Sequence, residues 1–231
     1  VNPLATGLNN GSTWNDAFVS LDFALAFADD GTEIWLTAGT YYPNSYNGLD
    51  PGAPENPRLK HFSLKKGVAI VGGFIGVETA CEQKDVILNE TILSGDIGVI
   101  GDTSDNAYHV FYHPSGTNVG NTALLDGITI QDGKADGSGD HKNGGAIFNK
   151  DAAPSIKNVT FKNNVVSNYG GAIYNENISD VNIDEAIFMA NKANSRGGAI
   201  YNKSSTGQIT SSTFEANIGV PGNSVGSAIY N

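Results

Sequence analysis

Gly144-Gly145-Ala146-Ile147-Phe148-Asn149 is followed by GGAIYN at residues 170–175, GGAIYN at 197–202 and GSAIYN at 226–231, at intervals of 26, 27 and 29 residues. A second phrase, F-x-x-N, alternates with it at Phe161–Asn164, Phe188–Asn191 and Phe214–Asn217, spaced by 27 and 26. Two phrases in lockstep mean one structural unit repeated. A period of this length, filled with short β-prone runs and Gly, Asn and Ser turns, marks a solenoid whose repeats contact only their neighbours. The unit is too short for a propeller blade and suits one coil of a parallel β-helix.

Alignment of the repeats stacks like on like. Ile147, Ile173, Ile200 and Ile229 form one column, Phe161, Phe188 and Phe214 a second, and Ile156, Ile183 and Ile209 a third. Equivalent positions on successive coils lie one strand spacing apart, about 4.8 Å, so each column becomes an apolar ladder inside a tube. Gly and Asn supply the left-handed backbone that tight corners need. Stacked Asn149, Asn175 and Asn202 are expected to form a structural amide ladder.

At these residues the chain resembles the polymorphic outer-membrane protein type of autotransporter passenger. It is similar, too, to the wider group of secreted bacterial right-handed β-helix proteins with a pectate-lyase-like fold. The paired GGA-I and F-x-x-N phrases of residues 144–231 carry the resemblance. Val71-Gly72-Gly73-Phe74, Thr91 to Asp96 and Tyr108-His109-Val110 extend it upstream more loosely. The resemblance implies a single-stranded right-handed parallel β-helix that is secreted or displayed on a bacterial cell surface and is commonly adhesive. The right-handed preference of parallel crossovers agrees with it.

Composition narrows the class. With 231 residues, 39% hydrophobic and 16% charged, the chain is long enough for one elongated domain and too low in charge for disorder. A formal charge of −11 argues against nucleic acid and anionic membranes, which reward a basic face. The single cysteine, Cys81, excludes an internal disulfide. The most apolar run, Val68 to Val77, is about half the length of a membrane span. No signal-like segment is read at the N-terminus, and further repeats of the same chain, or a neighbouring subunit, are expected at the C-terminal edge.

Residues 12–30 read as one helix. Thr13 and Asp16 suit a capping box, and Trp14, Ala17, Phe18, Leu21, Leu25 and Ala28 fall on one face before Asp29-Asp30-Gly31. An open tube end exposes strand edges, so this helix is expected to cap the N-terminal mouth, with Trp14 in the core rather than serving as a sugar platform. Residues 33–142 then read as irregular coils with long loops, and 143–231 as regular ones. Leu125, Ile128 and Ile130 align with Ile156, Val159 and Phe161.

Long loops on a rigid scaffold are where recognition sits. The loop 43–60 carries four of the eight prolines. With Tyr41, Tyr42 and Tyr46 it reads either as an aromatic ligand-binding loop or as an insertion tolerated because it touches little. Loop 96–106 offers Asp96, Asp102 and Asp105 as candidate calcium ligands, although the D-x-D-x-D-G spacing of a calcium loop is absent. No other cofactor is implied. Loop 131–143 holds Asp132, Asp136, Asp140 and His141, read as solvent-facing.

Catalytic signals are sparse. Zinc, serine-esterase, nucleotide and redox motifs are absent, the four histidines are scattered, and Arg58 and Arg196 are the only arginines. No catalytic residue is assigned. Two functions follow from this pattern. One is a non-enzymatic adhesin or structural stalk that contacts a glycan or surface protein through early-coil loops. The other is a polysaccharide lyase or glycoside hydrolase whose groove is built where loops 43–60, 96–106 and 131–143 converge.

Overall fold

The computed structural model describes residues 1–46, 55–178, 180–219 and 227–231. Gly226 of the fourth phrase and the centre of loop 43–60 lie outside the described residues. One regular coil runs Ile147–Lys150, Ser155–Lys157, Thr160–Lys162 and Val165–Val166, then returns to Ile173–Glu176. Each strand pairs in parallel with its equivalent on the next coil. The result is four parallel sheets, of six, five, six and four strands among the described residues. In that order they contain Ile156, Ile147, Phe161 and Val166. The architecture is a parallel β-helix.

The register is that of the aligned repeats. Ile147, Ile173, Ile200 and Ile229 are successive partners, and Leu125, Ile156, Ile183 and Ile209 form the facing ladder. Phe161, Phe188 and Phe214 stack with centroids 4.7 Å apart at both steps. Phe188 therefore lies between two like rings, with dispersion contacts on both faces, while Phe161 has Ile130 as its other register partner. Alternation along the GGAIYN strand sends its Ile inward and its aromatic residue outward. Phe148, Tyr174, Tyr201 and Tyr230 accordingly make a second stack on the outer face, at 5.2, 5.5 and 5.0 Å.

In the regular coils each described corner is turned by one residue in the left-handed region. In one coil these are Asp151, Asn158, Asn163 and Gly170, in the next Asn177, Glu185, Ala190 and Gly197, all with φ between 52° and 65°. Asn and Asp tolerate this conformation better than most residues, and Gly tolerates it without strain. Gly170 is required: a Cβ there would lie 2.2 Å from the Ile173 carbonyl oxygen.

The N-terminal helix is shorter than the spacing of apolar residues implied. It spans Leu21–Phe27, capped by Ser20, whose Oγ accepts from the Phe23 N–H. Upstream, Thr13 and Asp16 bond each other in a turn, but the Asp16 carboxylate also accepts the Leu8 N–H, which holds the segment in an irregular fold. The apolar stripe thus belongs to two segments, a loop and a two-turn helix. Leu21, Ala24 and Leu25 join Ile34 and Leu36 in the main core, next to Glu33–Thr37 and Gly39–Tyr41, the terminal strands of their sheets. The helix closes that end of the apolar ladder.

The early coils keep the pattern with longer excursions. Glu33–Thr37 pairs with Ala69–Phe74, and Gly39–Tyr41 with Thr91–Ser94. Between those strands Phe62 makes a single bridge to Phe111. No helix among the described residues is long and apolar enough to cross a membrane.

Candidate functional site

The three long loops meet at Arg58. Its Nε donates to the Asn106 carbonyl oxygen at 2.6 Å, and its Nη2 to the Lys134 carbonyl oxygen at 2.9 Å and to Asp136 Oδ1 at 2.6 Å. The guanidinium also lies 4.3 Å from the Tyr108 ring centroid. A planar fork can hold several acceptors at fixed angles where an ammonium cannot. Here that fork is spent inside the protein. The arginine is a clasp between loops, with its Nε and Nη2 donors given to acceptors within the protein.

Beside the clasp the histidines gather. They are far apart in sequence, yet His61, His109 and His141 surround Tyr112 at 5.5, 4.9 and 5.1 Å between centroids. His109 Nδ1 donates to the Gly144 carbonyl oxygen at 2.8 Å, which leaves Nε2 to accept from His141 Nδ1 at 3.0 Å. Burial and, second, the charge of His141 hold the His109 pKa well below the usual value. The scatter read in the sequence is therefore corrected: adjacent coils bring three of the four histidines onto one aromatic core.

The acidic loop serves its own backbone. Asp96 accepts the Gly101 N–H, Asp102 the Ser104 N–H and Asp105 the Val99 N–H. Carboxylates engaged in this way fix turns. No group of three or more His, Cys, Asp or Glu side chains able to hold a metal ion occurs among the described residues. The three tyrosines also part company. Tyr41 ends an edge strand pointing inward, is 4% exposed, and donates its hydroxyl to the Thr37 carbonyl oxygen at 2.9 Å. It is core, and only Tyr42 and Tyr46 remain at the surface.

Two polar ladders run through the tube. Asn149 Nδ2 donates to Asn175 Oδ1 at 3.0 Å, Asn175 to Asn202 at 2.8 Å, and Asn202 to Asn231 at 2.7 Å. His113 heads this column, with Nδ1 2.7 Å from Asn149 Oδ1. The second ladder, Asn164–Asn191–Asn217, went unread although the F-x-x-N phrase announces it. Asn164 and Asn191 are fully buried, and the chain of amides steps at 2.9 and 2.9 Å.

At the N-terminal end a cavity of about 500 Å³ opens between the capping segment and the first coil, lined by both tryptophans together with Phe18 and Phe27. Trp35 stacks on Phe74 at 4.8 Å and donates its Nε1–H to Glu33 at 3.1 Å. Trp14 lies 6.3 Å from Trp35 and donates to the Glu78 carbonyl oxygen at 2.9 Å. Trp14 was expected in the core, but it is only half-buried and forms part of this wall. The irregular loop that replaces the expected helix leaves the indole beside the tube end instead of beneath a continuous cap.

Parallel coils, inward ladders and one repeated phrase define a repeat protein of the β-helix class. Residues 158–176 and 185–203 match the family model of the Chlamydia polymorphic membrane protein repeat, each match running from the F-x-x-N turn through GGAIYN. These two stretches are thus similar to a repeat of bacterial outer-membrane proteins. No curated protein and no solved structure, pectate-lyase-like folds included, matches it.

Proposed function

We propose that the chain is a secreted or surface-displayed, non-enzymatic β-helix that acts as an adhesin or structural stalk and meets its partner, a glycan or a surface protein, through the early coils. The observation that carries this reading is the conjunction of uninterrupted ladders with two outer-membrane protein repeats. Stacked strands give a stiff rod, because each coil is held by apolar and amide columns on both sides. Irregular early coils give chemical variety at one end of that rod. The Arg58 clasp supports presentation over hydrolysis, since three of the five N–H donors of the cation best placed among the loops go to internal acceptors.

The test is to immobilise the purified chain, pass neutral and acidic polysaccharides and host-cell surface proteins over it, and follow polymer size in parallel. Retention of a partner without polymer shortening is the expected result. Shortening of any polymer overturns the non-enzymatic reading, and absence of retention leaves the stalk alone.

A further inference from the structure

The cavity beside Trp14 and Trp35 has the chemistry of a sugar site. We infer that it binds a neutral saccharide unit, one or two rings of a glycan, against the indoles. The inference rests on the binding reading above and gives it a place and a ligand class.

Size comes first. A volume of about 500 Å³ lies within the range of small-ligand pockets, roughly 300–1,000 Å³. The lining comes next. Apolar walls are supplied by aromatic rings, and the polar lining groups Asn10, Ser12, Thr13 and Thr32 come from the segments that border those rings. A pyranose needs this combination, because it presents a flat face of C–H groups to a ring and hydroxyls around its rim. Large aromatic faces supply the contact area with little loss of side-chain freedom.

Charge decides among ligands. No Lys, Arg or His among the described residues lines the cavity, and the Val1 amino group at its wall donates to the Trp35 carbonyl oxygen and is lowered by burial to a pKa of about 6, so an anionic sugar would meet Glu33 and Glu78 with little counter-charge, an arrangement that disfavours it. A cationic ligand would seek those carboxylates. Glu33 already accepts from the Trp35 indole, and Glu78 accepts three backbone N–H groups, from Ile75, Gly76 and Val77, at 2.8 to 2.9 Å. Their negative charge is partly met inside the protein. The Thr13 hydroxyl is taken up by Asp16, Asn10 Oδ1 accepts the Ser12 N–H and Thr32 Oγ1 accepts the Asp29 N–H, so the Asn10 amide N–H and the Ser12 and Thr32 hydroxyls remain to meet the hydroxyls of a neutral ligand.

The position also favours an extended ligand. Phe27 is 64% and Phe23 43% exposed, and with Phe18 they form a mutually packed trio at 4.9 to 5.8 Å on the rim. A contiguous apolar patch of this kind is a feature of interaction surfaces. A second ring of the same glycan would reach this trio.

The chain has two tryptophans and nine tyrosines, and both tryptophans line the cavity, so fluorescence excited at the red edge, where tyrosine does not absorb, reports on this site. The whole chain is titrated with methyl glycosides of glucose, galactose, mannose and N-acetylglucosamine and with their disaccharides, beside choline and glucuronate. The expected result is a saturable spectral change with at least one neutral glycoside. Trp35→Ala, with Trp14 still reporting, should weaken it by roughly tenfold or more, and Trp35→Phe, which keeps a ring on Phe74, should weaken it less. Far-UV circular dichroism checks that both variants fold; should Trp35→Ala fail, the Phe variant and Phe27→Ala on the rim carry the comparison. A response to choline or glucuronate alone overturns the proposal, as does an affinity unchanged in the variants. If the chain is retained on a glycan surface as tightly after Trp35→Ala as before, this site is wrong and the binding reading stands. If neither glycosides nor surfaces respond, both fall.

Discussion

His113 makes the fold sensitive to acid. It occupies the head of the Asn149 ladder, 1% exposed, with Nδ1 donating to Asn149 Oδ1 at 2.7 Å. Asn149 Nδ2 in turn donates to Asn175, so the histidine must be the donor at its end of the column. Its Nε2 is buried without a hydrogen-bond partner, and protonation would place a charged N–H there with no acceptor. Burial lowers the pKa to about 4, against about 6.5 in an unfolded chain. The unfolded state therefore binds more protons between those values. Stability is whole above pH ~6.5 and is lost as pH falls toward 4, by about 2 kcal/mol at pH ~5 and roughly 3 kcal/mol below pH ~4 from this residue.

The discriminating variant is His113→Asn. Residue 113 pairs in register with Asn149, so an asparagine there extends the amide column by one rung without a titrating group. Guanidinium unfolding of both proteins at several pH values gives the difference in stability, from which the His109 contribution cancels. The expected outcome is a variant whose stability relative to wild type rises by about 2 kcal/mol between pH ~7 and ~5. Parallel pH profiles for the two proteins would refute the reasoning.

Other outcomes follow from the same geometry. Asn191 Oδ1 accepts the Asn164 N–H and amide, while its Nδ2 donates to the Phe161 carbonyl oxygen and Asn217. Asn191→Ala strands these buried groups and should cost about 2–4 kcal/mol in chemical denaturation, whereas Asn202→Ala, nearer solvent, should cost less than ~1 kcal/mol. Ala190 holds φ at 54°. Ala190→Gly should therefore raise the thermal midpoint through a net gain of about 0.5 kcal/mol, and Ala190→Val should lower it, as differential scanning calorimetry will read. Arg58→Ala removes the clasp from Asn106, Lys134 and Asp136. Limited proteolysis should then cut loops 96–106 and 131–143 faster while the far-UV signal holds.

The regular coils were legible because their corners and ladders recur at a near-constant period, so Ile147, Phe161 and Asn149 align with their equivalents from sequence alone. The histidine cluster was not legible, for a physical reason. Phe62 bridges to Phe111 across 49 residues of chain, and an excursion that long hides the period that places His61 beside Tyr112. The N-terminal misreading has another cause. A run of apolar residues at helical spacing fits a helix, but the Asp16 carboxylate, given to the Leu8 N–H, stabilises a loop that spacing alone does not reveal. Tyr41 failed as a ligand residue because an edge strand alternates its side chains, and its position in the pleat points inward.

The sameness of the corners reaches beyond stability. Each regular coil offers its neighbours four left-handed turns at matching positions and the same ladder residues at the same heights. A segment running from one F-x-x-N phrase to the next can therefore be duplicated or lost through unequal recombination with every contact type restored at the new junction. An exchange out of phase by a single residue would turn the isoleucine column outward and the tyrosines in. The gene can thus lengthen or shorten the rod in steps of about 4.8 Å, so that reach becomes an inherited quantity free to vary while the end that carries the early coils stays unchanged.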